Sequence, residues 1–214
     1  MADKKEKQTT CRKCGTCCRK NGPVLHTQDK HLILEKILHP ENMVVLRAGE
    51  PAMDNISGKP VLLKGEIIKV RGKKAGSWSC VFHDHETDLC SIHSNRPKQC
   101  RLLECWNPEK MVKAYKQDLL TRVHLLKKGS ALEEITTLHE SKCSVRELVQ
   151  LIKDDLNHKT GSKQKINDML AYDEAFRKTF QEKTKINPRA LDYYLGRSLK
   201  EIINPIIKFL EKYH

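Results

Sequence analysis

Cys11-Arg12-Lys13-Cys14-Gly15-Thr16-Cys17-Cys18 packs four thiols into eight residues. Residues three apart in a tight turn can aim their sulfurs at a shared centre, and Gly15 lets the backbone curl without a clashing Cβ. Cys17 and Cys18 are adjacent, so their side chains diverge and one of them is free to serve a different ion. Four more cysteines follow at Cys80, Cys90, Cys100 and Cys105, and a ninth, Cys143, stands apart. Thiols this dense are pinned by disulfides or by metal, because exposed thiolates oxidise readily.

The choice between those fates turns on compartment. Met1 to Lys20 is polar and lysine-rich, with no apolar run of the secretory kind, and no stretch approaches the ~18 uncharged residues of a spanning helix. The expected location is therefore cytoplasmic, without a membrane span, where glutathione keeps thiols reduced and a cysteine framework holds metal. Disulfides are the alternative if the compartment is oxidising. Of the 214 residues only 38% are apolar and 5% aromatic, a modest core that suits a fold partly stapled by metal. The formal net charge is +13, spread over both halves. No zinc-finger, helix-turn-helix or RNA-binding signature accompanies it, so nucleic acid is not the expected partner. Lys4, Lys5 and Lys7 read as a solvated, flexible terminus over residues 1–10.

The pattern predicts an α+β protein: an irregular, short-stranded cysteine module over 11–106, then a mainly helical region over 107–214 packing on or beside it, where a protein partner could dock. Thr27 to Leu38 reads as a short helix, Met43 to Arg47 and Val61 to Val70 as strands, with a hairpin turn or bulge at Lys64-Gly65. Trp78 to Phe82 and Leu89 to His93 read as extended, setting Cys80 opposite Cys90. Asn95 would cap a helix starting near Pro97 and carrying Cys100 and Cys105. Beyond Asn107-Pro108, the spacing of Met111, Tyr115, Leu119 and Val123 predicts one helix over 109–128. Capping boxes stand at Ser130/Glu133, Ser144/Glu147 and Ser198/Glu201, and Asn187-Pro188 repeats the cap-plus-proline device. Met169, Tyr172, Phe176 and Phe180 mark one face of a further helix, and Pro205 should kink or divide the last one.

Structural zinc usually takes two C-x2-C knuckles, whereas the second cluster here has gaps of nine, nine and four residues. Three thiolates in seven residues plus a distant fourth look more like the grip on an iron–sulfur cubane, although the local fourth cysteine is misplaced and lacks a following Pro. An iron–sulfur cluster or iron is therefore read ahead of zinc. The expected metal ligands are Cys11, Cys14, Cys17, Cys80, Cys90 and Cys100 first, then Cys18 and Cys105.

These residues carry a resemblance. Cys11-x2-Cys14-x2-Cys17-Cys18, Cys80-x-Phe82, Cys90-Ser91-Ile92, Arg96-Pro97-x2-Cys100-Arg101 and Cys105-Trp106 resemble the YkgJ-type cysteine-cluster proteins, described as a zinc- or iron-chelating domain. The resemblance covers about the first half of the chain and implies metal chelation. That family often has Tyr where this chain has His93, which leaves room for an added nitrogen ligand. Flagellin lysine-N-methylases carry a similar cluster, so by analogy a role in protein methylation is a further expectation.

Other candidates have bland readings beside the functional ones. His83, His85 and His93 are either ligands or exposed hairpin residues. Asp84, Glu86 and Asp88 suit a solvated turn better than a hard cation. Arg12, Lys13, Arg19 and Lys20 would offset thiolate charge; Arg96 and Arg101 either do so through hydrogen bonds or are surface arginines beside a helix start. Trp106 either shields the site or packs in a core. Cys143 reads as a small buried hydrophobe. No Walker A, G-x-G-x-x-G, G-x-S-x-G or H-E-x-x-H motif is present. Whether the protein is an enzyme stays open, and no catalytic residue is assigned.

Overall fold

A computed structural model describes residues 8–73 and 79–213. The basic stretch at Lys4 to Lys7, most of the glycine-rich loop after Gly72, and Trp78 lie outside the described residues. The class is α+β as expected, with short antiparallel strands first and helices after.

Two helical turns, α1 (Thr16–Lys20) and α2 (Lys30–Leu34), precede the strands. Strands β1 (Met43–Leu46) and β4 (Ile67–Val70) pair from Met43↔Val70 to Leu46↔Ile67. Their alternation buries Met43, Val45, Ile68 and Val70 on one face. A second ribbon joins β2 (Pro51–Asp54) to β3 (Lys59–Leu62). The expected hairpin about Lys64-Gly65 is therefore not formed, because β3 and β4 belong to different ribbons. The chain leaves the first pairing after Leu63, whose N–H reaches Glu50 O at 2.9 Å. Glu66 is then held by Arg122, which donates from its backbone N and from Nε and Nη2 at 2.6–2.8 Å.

The helix expected over 109–128 stops early. Only α4 (Glu109–Ala114) forms; Leu120 is instead extended, accepting from Ile68 N and donating to Leu25 O. Backbone pairing with the sheet and burial of Leu120 displace the helical register, leaving Val123 85% exposed. The later helices follow their caps. Ser130 caps α5 (Ala131–Lys142), Ser144 caps α6 (Val145–Leu156), and Ser198 Oγ accepts from Glu201 N ahead of α9 (Leu199–Tyr213). Pro205 lies inside α9 without dividing it. Along α7 (Ser162–Thr184) the buried line is Ile166, Met169, Asp173, Arg177 and Phe180, not the Tyr172–Phe176 face. The short α8 (Leu191–Tyr194) returns the chain to the sheet, where Tyr193 packs.

Two apolar cores result. One gathers Leu25, Leu32, Ile68, Val70 and Cys80 with Leu120 and Tyr193. The other gathers Leu148 and Ile152 of α6, Ile166 and Met169 of α7, and Ile202 and Ile206 of α9. Arg47 fastens the two. Its side chain is 1% exposed, with Nη1 donating to Cys143 O (2.9 Å) and Nη2 to Arg197 O (3.0 Å). A guanidinium on the carbonyl end of α5 also complements the helix dipole. Gly196, at φ 72°, leaves the space Arg47 fills, since a Cβ there would meet Arg47 Cδ at 2.7 Å.

Candidate metal centre

The first cysteine run opens in a loop and closes in α1. Gly15 takes φ 67° at the start of α1, and a Cβ there would lie 2.5 Å from His83 Nε2 and 2.7 Å from Asp88 Oδ1. Glycine is thus required twice over, by its backbone conformation and by the close approach. Arg19 does not turn to the thiolates as expected: it pairs with Asp88 and donates to Cys14 O at 3.1 Å.

The second cluster reaches this loop through backbone bonds. Cys80 N donates to Cys18 O at 2.8 Å, His83 N to Cys80 O at 3.0 Å, and Ser91 N to Phe82 O at 2.9 Å. The residue opposite Cys90 is His83 rather than the expected Cys80, so the hairpin is shorter and Cys80 sits at its base. Cys100 rides on α3 (Lys98–Leu102), while Cys105 falls outside that helix in a Glu104–Asn107 turn. Asn95 does not cap α3. Asp29 does so from a distance, with Oδ1 accepting from Lys98 N (2.8 Å) and Oδ2 from His26 N (2.9 Å). A buried Asp29 that holds the Cys100 helix was not legible in the sequence, because its partner lies 69 positions away.

Cys17 is held low, so its charge bears on the other thiols. Its Sγ lies 4.0 Å from Cys18 Sγ. The hydrogen bond from Cys18 holds Cys17 down to about 6, and the same bond holds the Cys18 thiol well up. Burial raises Cys80 to about 11, and raises Cys90 and Cys100 as well. In every one of these the charge of Cys17 adds to the rise. Arg96 works the other way on Cys90 and Cys100. Cys14 also feels Cys17, though its own thiol is lowered, first by a hydrogen bond with Thr16. Five thiols from two distant segments therefore feel one another's charge, with Cys14 at the edge, although among the described residues no three of these sulfurs lie within 4.8 Å of one another. Cys11 and Cys105 lie at the surface: Cys11 Sγ accepts from Lys13 N, and Gln8 Nε2 approaches Cys105 Sγ at 4.0 Å.

The bland readings hold for several neighbours. Asp84 accepts from Glu86 N and the Thr87 hydroxyl, closing its own turn. Arg101 donates to Arg96 O and sits 3.7 Å from Asp29. His85 is exposed; Trp106, half-buried, joins neither apolar core, so the core reading does not hold for it.

A different trio, His139, Cys143 and Asp173, brings three donor atoms within 4.8 Å of one another. Asp173 is already saturated by Arg177 Nε (2.9 and 3.0 Å), His139 Nε2 (2.7 Å) and Leu199 N (2.9 Å). The trio is a buried polar lock, and Cys143 is fully buried, as expected. Helical i, i+4 spacing of His139 and Cys143 was the sequence signal for it.

Cysteines from both segments lie near enough to feel one another's charge, the donor set that a cysteine-rich metal-chelating domain requires, and soft thiolates fit either zinc or iron. The sequence pattern of the CxxCxxCC family, described as "Putative zinc- or iron-chelating domain", matches residues 10–119. The chain belongs to that family. No curated protein and no solved structure matches the chain. Among the described residues no helix is long and apolar enough to cross a membrane.

Proposed function

We propose that Cys17, Cys18, Cys80, Cys90 and Cys100 hold the metal, with Cys11 and Cys14 closing the loop over it and Cys105 at its margin. The observation that carries this reading is the shared electrostatic neighbourhood of Cys17 with Cys80, Cys90 and Cys100. Three thiolates within seven residues plus distant partners, without a second C-x2-C knuckle, support an iron–sulfur cluster or iron over one zinc ion. Such a centre would supply one-electron chemistry, and the exposed Cys14 and Cys17 edge would face a redox partner. Reduced thiols of this kind suit a cytoplasmic location.

Burial of Cys80 in the first apolar core favours a second reading, zinc as a structural staple with the helical region, 107–214, meeting a protein partner. The likeness to flagellin lysine-N-methylases draws no support from the family match, which covers the chelating domain alone. Anaerobic purification with assay of iron, zinc and acid-labile sulfide separates the two readings. Iron with matching sulfide in a brown protein is expected; a colourless protein loaded with zinc would favour the staple.

A further inference from the structure

We propose that His83 is a nitrogen ligand of the metal held by the cysteines. The assignment rests on the chelation reading above and adds a donor of a different kind to it. Three histidines lie between Cys80 and Arg96 in sequence, and the structure separates them. His85 is exposed. His93 directs Nδ1 toward Arg96 Nη1 at 3.5 Å, so Nδ1 acts as the acceptor. His93 Nε2 is also unpaired, but Arg96 Nη1, which donates to His93 O at 2.9 Å, sets a positive charge beside the ring that opposes a second cation there.

His83 is different. It is 1% exposed, and Nε2 makes no hydrogen bond. Asp88 Oδ1 lies 3.3 Å from Nε2 without the alignment of a hydrogen bond, and is itself engaged by Arg19. A buried imidazole nitrogen left in this state is costly unless something fills the position. Nδ1 lies 3.3 Å from Ser79 Oγ. In the tautomer that donates Nδ1–H to that hydroxyl, Nε2 keeps its lone pair, which is how ligating histidines are usually oriented. Nε2 also abuts Gly15, which stands between Cys14 and Cys17 in sequence, where an added Cβ would lie 2.5 Å from it. Its backbone is pinned between two of the cysteines, through His83 N to Cys80 O and the bridge to Cys90.

The test uses cobalt(II) and cadmium(II) alone, added anaerobically to the reduced full-length protein. Wild-type protein should give a cobalt spectrum of mixed sulfur and nitrogen ligation. His83→Ala should shift the ligand-field bands and weaken cobalt binding by roughly tenfold or more, with His83→Cys restoring affinity and His85→Ala changing neither. An His83→Ala protein with wild-type spectrum and affinity would overturn the assignment. Should the variant fail to fold, the wild-type protein still decides: cadmium-113 resonance of protein labelled with nitrogen-15 histidine should show a cadmium–nitrogen coupling. An unsplit line at an all-sulfur shift would refute His83 while leaving chelation by cysteine intact. Absence of any cobalt or cadmium uptake would remove the chelation reading and His83 with it.

Discussion

Asp29→Ala should loosen the helix that presents Cys100. The Asp29 side chain is fully buried and satisfies two main-chain donors, His26 N at 2.9 Å and Lys98 N at 2.8 Å, with Arg101 3.7 Å away. Leaving a buried donor unsatisfied costs about 1–3 kcal/mol each, so the two together cost roughly 2–6 kcal/mol. Relief of the carboxylate's own desolvation offsets part of this, and a net loss of about 3 kcal/mol is expected. For a chain of this size that corresponds to a melting point lowered by roughly 6–12 °C. Asp29→Asn keeps one acceptor oxygen and should lose about half as much. Thermal melts followed by circular dichroism, on metal-free and zinc-loaded protein, measure both. An Asp29→Ala protein melting within about 1 °C of wild type would refute the claim that this carboxylate anchors α3.

Gly15→Ala should cost about 1–2 kcal/mol for the left-handed backbone alone, and more as its Cβ displaces His83; competition with a chromogenic chelator should show weaker zinc binding, and unchanged affinity would count against the tight packing of loop on imidazole. Acid should destabilise the fold in two stages. Burial pushes His139 below its ordinary value against the pull of Asp173. Burial works to raise Asp173, but the His139 hydrogen bond, Arg177 and Leu199 N–H hold it below the usual carboxylate range. Both folded values are depressed, so each contribution is complete above the unfolded value. The His139 share is lost as pH falls below about 6.5 and the Asp173 share below about 4; denaturant titrations across pH check this, and Asp173→Asn should flatten the lower limb. Cys143→Ala should leave metal content unchanged while costing about 1 kcal/mol of stability, measured by metal analysis and urea melts; a loss of metal would place the ninth cysteine in the site.

The sequence made the helical half readable wherever the signal was local. Each predicted Ser cap starts its helix by accepting from the Glu N–H three residues on, a local signal, although Glu133 turns its carboxylate to Gly129 N instead of closing the box on Ser130. The failures share a cause. The 109–128 periodicity gave way to pairing of Leu120 with Leu25 and Ile68, partners more than fifty residues away. The apolar line of α7 moved by one position because Asp173 and Arg177 are buried as a pair with His139, and polar residues look like an exposed face until their partners are known. Strand β2 went unread although Asp54 to Gly58 is a turn signal; Pro51 at its first residue lacks the N–H that marks a paired strand. At the site, spacing alone pointed to the cysteines and offered three histidines without choosing among them, but it did not show that the later cysteines would feel the charge of Cys17 or that Asp29 would hold the Cys100 helix.

The account depends on one ion or cluster being gripped by sulfurs from both segments. Metal content of Cys17→Ser and Cys100→Ser, each purified anaerobically beside the parent protein, tests this most directly. Both variants should lose the same metal, in the same amount. If Cys17→Ser empties the protein while Cys100→Ser retains a full complement, the two segments do not share a centre.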